Sequence, residues 1–181
     1  ETYEQYLELE NPSDFAVNDN YIAIADKPAS GNARIYVYDR NDAAAGYRVY
    51  EHETDTNATL SSLQLYENGG KTHLYFVASG TQTFIHHIDL NAAGGYTAIP
   101  TSVSCASFLI SGDYLYYSTV TSGDITVARI QMDGFSPGAD PSEQISGIDM
   151  QGSNLTPCFA QGGDRIYFSV NNIIYSVTDD S

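Results

Sequence analysis

An all-β fold, a small β-propeller of four four-stranded antiparallel blades, is predicted by three features of the 181-residue sequence. A two-strand pattern of alternating apolar and polar residues recurs four times, its copies agree column by column, and further strand-sized apolar runs flank each copy. The pattern is plainest from Gly112 to Gly134. There Gly-Asp-Tyr-Leu-Tyr-Tyr-Ser leads through Gly123-Asp124 into Ile-Thr-Val-Ala-Arg-Ile and closes on Asp133-Gly134. Two alternating runs about a glycine-containing break mark an antiparallel hairpin.

The copies open at Asn20, Thr72, Asp113 and Asp164, at intervals of 52, 41 and 51 residues. Two positions on stand Ile22, Leu74, Leu115 and Ile166, and two further Ile24, Phe76, Tyr117 and Phe168. That period of two keeps both columns on one face of a sheet, while Ala23, Tyr75, Tyr116 and Tyr167 between them take the other. The second strands align as Ile35–Tyr38, Ile85–Ile88, Val127–Ile130 and Ile174–Val177. A first strand is expected ahead of each hairpin, at Phe15–Val17, Leu63–Leu65, Phe108–Ile110 and Cys158–Ala160. A fourth follows three of them, at Tyr47–Tyr50, Tyr96–Ile99 and, with a fainter pattern, Glu143–Ile145. The last copy lacks its own, and the alternating segment Tyr3–Leu9 is expected to complete it and close the ring. Four strands in a repeat of about 40 to 50 residues is the arithmetic of a propeller blade. A β-sandwich or a fragment of a larger propeller are the alternatives, and residues 1–181 form one domain in any of them.

The charge is lopsided: 23 acidic residues against 7 basic ones give a net charge of −16. Such a surface repels nucleic-acid phosphates and anionic lipid, which excludes both as partners. The longest apolar runs are strand-sized, so membrane insertion is not expected. The sequence opens on Glu1 without a leader-like segment, as a processed chain or a piece of a longer one would.

Few residues suggest chemistry. Cys105 and Cys158 head the innermost strands of neighbouring copies, where backbones approach closely; a disulfide there and two buried free thiols are the competing readings. His86 and His87 point to opposite faces of one strand and cannot share a metal ion; His73 can approach one of them across the hairpin, and no third ligand is visible. His52, between Glu51 and Glu53, reads as solvated. The acidic clusters Asp39–Asp42, Glu51–Asp55 and Asp179–Asp180 lack calcium-loop spacing and read as turns. No cofactor is expected, calcium at a loop being the one ion considered. There is no nucleophile elbow and no phosphate loop, so nothing marks an enzyme. The connection from Asp133 to Pro157, with Asp133, Phe135, Asp140 and Asp149, is the candidate recognition loop, and Lys27–Asn32 is a second.

Leu115-Tyr116-Tyr117-Ser118, followed by Arg129-Ile130-Gln131-Met132-Asp133-Gly134, resembles a blade of the secreted propellers related to the low-density-lipoprotein-receptor type. Those blades carry an aromatic-rich strand and an Asp-Gly turn; Tyr75-Phe76-Val77 and Tyr167-Phe168-Ser169 are looser echoes. The repeats are also similar to bacterial periplasmic and surface propellers of the TolB-like kind. The resemblance implies an extracytoplasmic module, secreted, periplasmic or on the cell surface, and carries over no catalytic residue. The function expected is binding of a protein or carbohydrate ligand by loops on a rigid scaffold. The alternatives are a carbohydrate-active hydrolase or lyase with carboxylates at the channel mouth, and a structural segment of a larger surface protein.

Overall fold

A computed structural model describes residues 8–93, 96, 98–100, 105, 107–121, 124–132, 143–144, 150–151, 158–170 and 173–178. These form four antiparallel sheets, each a meander of strands in chain order. Sheet 1 holds β1 (Pro12–Val17), β2 (Tyr21–Asp26), β3 (Arg34–Asp39) and β4 (Tyr47–Glu51). Sheet 2 holds β5 (Thr59–Asn68), β6 (Lys71–Ser79), β7 (Thr83–Asp89) and β8 (Ile99–Pro100). Sheet 3 holds β9 (Phe108–Ser111), β10 (Tyr114–Thr121) and β11 (Asp124–Gln131), whose outer edge is paired by two short pieces, β12 (Glu143–Gln144) and β13 (Met150–Gln151). Sheet 4 holds β14 (Phe159–Gly162), β15 (Arg165–Val170) and β16 (Ile173–Thr178). No α-helix occurs among the described residues, where one turn of 3-10 helix, Ala43–Ala45, is the only helical piece. None of their helices is long and apolar enough to cross a membrane.

The columns read from the sequence are structurally equivalent. At the start of β2, β6 and β10 the same backbone bond recurs: Arg40 N–H donates to Asn20 O, Leu90 N–H to Thr72 O, and Met132 N–H to Asp113 O. Tight turns join several of the paired strands, while longer loops join β2 to β3 and β3 to β4. Between β5 and β6 the turn needs positive φ at two successive positions, which Gly69 (57°) and Gly70 (76°) supply.

Alternation leaves each sheet two faces, and stacking covers them. The face of sheet 2 with Leu74, Phe76 and Ile88 packs on the face of sheet 1 with Ala23, Ala25, Ile35 and Val37. Its other face, with Tyr75, Val77 and Ile85, packs on Leu115, Tyr117 and Ile130 of sheet 3. Val127 of sheet 3 then meets Phe168 of sheet 4. Burying each of the larger of these, such as Leu74, Phe76 or Ile35, contributes about 1.5–3 kcal/mol, so the seams between sheets carry the fold. The innermost strands β1, β5, β9 and β14 lie next to one another in that order. Polar bonds fix their offset. A bulge at Ser61–Gln64 frees the Leu63 N–H, which donates to Asp14 Oδ2 at 2.9 Å. Gln64 spans the next seam, with Nε2 donating to Phe108 O and Oε1 accepting from Ile110 N–H.

Of the segment Tyr3–Leu9, only Glu8 and Leu9 lie among the described residues, and neither is in a strand. The two end faces of the stack are open, with Phe15 and Val17 on sheet 1 and Tyr167 and Ile174 on sheet 4 exposed. Tyr167 therefore departs from its column-mates Tyr75 and Tyr116, which are buried between sheets as expected. Cys105 and Cys158 are free thiols, Cys105 buried and Cys158 exposed. The bridge considered for them is not formed, and only the first behaves as a buried apolar group, its pKa pushed up to about 12 by burial.

Candidate functional site

Strand polarity gathers loops at the end of the stack where β1 and β5 begin. The connector after β4 (residues 52–58), the β6–β7 turn (80–82) and the β2–β3 loop (27–33) all lie there. Connector and turn border a cleft of about 500 Å³, lined among others by Tyr50, His52, Thr54, Thr81, Gln82, Phe84 and His86.

The connector is held by Asp55. Its Oδ1 accepts the Asn57 N–H at 2.9 Å, and its Oδ2 accepts the Thr81 N–H at 2.7 Å and the Thr81 hydroxyl at 3.0 Å. These donors hold its carboxyl below the usual carboxylate range, the Thr81 backbone bond contributing most. Gly80 makes the approach possible, because a Cβ there would stand 2.2 Å from Asp55 Oδ2. Lys27 ties the neighbouring loop to the same connector by donating to Gly31 O and Thr56 O.

His52 is buried, not solvated. Period-two alternation puts it on the same side as Tyr50, away from Glu51 and Glu53, and its backbone N–H donates to Ala33 O. Its Nδ1 lies 2.8 Å from the Tyr50 hydroxyl and its Nε2 3.1 Å from Thr54 Oγ1. A neutral imidazole satisfies both by accepting at one nitrogen and donating at the other. Burial lowers the His52 pKa and raises that of Tyr50 to about 12. His52 meets the ring of His86 edge-on at 5.3 Å, and His86 stacks on Phe76 at 5.5 Å. Burial, reinforced by His52, brings His86 down to about 4, so both imidazoles are neutral at physiological pH.

His86 and His87 do face opposite ways. His87 stacks on Tyr75 and lies 5.2 Å from His73, across the hairpin. Among the described residues no group of three or more His, Cys, Asp or Glu side chains is placed to hold a metal ion. Three of the described acidic residues act as turn formers: Asp39, Asp55 and Asp89 each accept the backbone N–H two residues on. Asp133, Phe135, Asp140 and Asp149 lie outside the described residues, while Glu143–Gln144 and Met150–Gln151 of the same connection pair with β11. The Lys27–Asn32 loop is fastened beside the cleft, with Asn32 Nδ2 on Glu51 Oε1. The cleft itself was missed from sequence; the one signal was the two-residue spacing of Tyr50 and His52.

This geometry defines a propeller-like, all-β class of protein with a polar, aromatic-walled cleft between its first two sheets. No family model matches the chain, and no curated protein sequence matches it. Among solved structures it is similar to the GH43_1 enzyme from Xanthomonas citri, with a TM-score of 0.52 at 19% identity over 94% of this chain and 70% of that one. The same enzyme complexed with xylotriose gives 0.51 at 19%, over 98% and 72%. Apo AztD from Citrobacter koseri gives 0.55 at 12%, over 95% of this chain and 46% of AztD. At these identities the likeness is one of fold.

Proposed function

We propose that the four sheets are blades of a β-propeller in an extracytoplasmic protein, and that the cleft between the first two binds a neutral carbohydrate without cleaving it. The observation that carries this reading is the lining of the cleft. Hydroxyl, amide and neutral imidazole groups sit beside the aromatic rings of Tyr50, Phe84 and His86, a combination that hydrogen-bonds sugar hydroxyls and stacks on sugar faces. A volume of about 500 Å³ suits one or two sugar rings.

Hydrolysis asks for a pair of carboxyl groups, one of them able to give up a proton. Among the described residues lining the cleft Asp55 is the one carboxylate; both its oxygens are occupied, and it stays ionised. The likeness to GH43 enzymes makes pentose oligosaccharides the first ligands to try, and resemblance to secreted blades supports the extracytoplasmic setting. Protein recognition by the 133–157 connection is the other binding reading.

Titration calorimetry of the chain with xylotriose, arabino-oligosaccharides and cello-oligosaccharides tests it. Binding should be unaffected by salt and weakened about tenfold, roughly 1.4 kcal/mol, in Gln82→Ala. Release of monosaccharide from any of these would replace the binding reading by the hydrolase one, and absence of binding across a glycan array would end both.

A further inference from the structure

Two histidines of sheet 2 have no part in the cleft: they lie at the other end of the sheet and on its other face. His73 in β6 and His87 in β7 extend the row of Tyr75, Val77 and Ile85 that packs on sheet 3, and both rings are half-buried. The register sets them diagonally across the hairpin, since His73 pairs with Asp89 while Tyr75, the next residue along that face, pairs with His87. Tyr75 stacks on His87 and so fixes the plane of its ring.

Each ring has a nitrogen with nothing to bond to. Nδ1 of His73 and Nδ1 of His87 are both buried, and among the described residues no atom hydrogen-bonds to either, including the other ring. Protonated, each would be an N–H without an acceptor; bare, each is a lone pair without a donor. Buried polar atoms are nearly always matched, so two unmatched ones on neighbouring rings point to an occupant.

Spacing selects that occupant. The ring centres stand 5.2 Å apart, with planes inclined at 51°. Two imidazoles on one tetrahedral metal ion, with bonds of about 2.1 Å, have centres about 5 Å apart. A water bridging them through hydrogen bonds of about 2.9 Å would hold the centres about 6.5 Å apart. His52 and His86 are spaced alike, at 5.3 Å, but Tyr50 and Thr54 engage both nitrogens of His52. In the pair His73 and His87 both partners keep a nitrogen unengaged.

Charge and protonation agree with the spacing. Burial lowers the pKa of both rings, so both are neutral at physiological pH, the form that ligates. Asp89 acts electrostatically on the two of them and supplies negative charge beside a cation. Its oxygens are held by Lys71 Nζ and the Asn91 N–H, so it contributes charge and not a bond.

We propose that His73 and His87 together hold a divalent metal ion of the kind that favours imidazole, such as Zn²⁺, Cu²⁺ or Ni²⁺, with its remaining positions open to water. Calcium and magnesium, which take oxygen ligands, are not expected there.

Calorimetry with Zn²⁺ over excess Ca²⁺ tests this, the Ca²⁺ saturating loose binding by surface carboxylates. One Zn²⁺ should bind per chain, and roughly tenfold more weakly in His73→Gln and in His87→Gln. In the unaltered chain Zn²⁺ should shift the ring-nitrogen resonances of His73 and His87 and leave those of His52 in place, a readout that decides the matter should a variant fail to fold. Zn²⁺ held no more tightly than Ca²⁺, binding that survives the double variant, or shifts at His52 in place of His73 and His87 each overturn the proposal.

Discussion

His86 shows what burial does to a titratable ring. Its pKa stands at about 4 against an ordinary 6.5, while His52, His73 and His87 are lowered in the same direction by the same cause. Between those two values an unfolded chain takes up a proton that the folded one refuses, so stability falls as pH drops from 6.5 towards 4 and is unaffected above that window. Thermal melts across this range should show Tm falling steadily. In His86→Phe, which keeps the stack on Phe76 but cannot titrate, the fall should be shallower; an unchanged slope would show that His86 does not contribute. Asp55, whose pKa is lowered from 3.8, acts only at more acid pH. Its contact with Gly80 gives a second expectation. Gly80→Ala must push the carboxylate off Thr81 and should lower stability in denaturant titrations. Asp55→Ala should cost a similar amount, and the double variant less than the sum, because both remove one set of bonds. None of this was legible in the sequence around His52, whose glutamate neighbours suggested water on every side.

Hairpins were the elements easiest to read. Alternation is imposed by strand geometry, so Ile22 with Ile24 and Leu74 with Phe76 announce a shared face without reference to anything distant. The fourth strand of the third copy was fainter for a physical reason: β12 and β13 are two-residue pieces on an outer edge, and so short a pairing imposes little pattern. What sets one sheet against the next is also hard to see locally. Gln64 donates to Phe108 O and accepts from Ile110 N–H, partners 44 and 46 residues away, so Gln64→Leu leaves a half-buried N–H and C=O unmatched. It should lower stability by about 1–2 kcal/mol by chemical denaturation. A neutral result would mean that apolar packing alone sets the offset of β5 and β9.

At the scale of the whole molecule, a residue's importance depends on whether the next sheet covers it. Ile22 and Leu74 share a column, but Leu74 is sealed between sheets and Ile22 lies on the open face of sheet 1. Leu74→Ala should cost about 2–5 kcal/mol, the range for emptying a packed core site, and Ile22→Ala markedly less. Equal losses would show that the open face is covered in solution. The four-fold repetition, the hairpin strands and the sharing of faces can be read from the residues alone, because they follow from backbone periodicity acting over a few residues. Which faces meet, the inward turn of His52 to join His86, and the cleft between the first two sheets emerge only once the sheets are packed. Those outcomes depend on contacts between residues tens of positions apart, and period-two alternation is the same whether the neighbouring surface is another sheet or water.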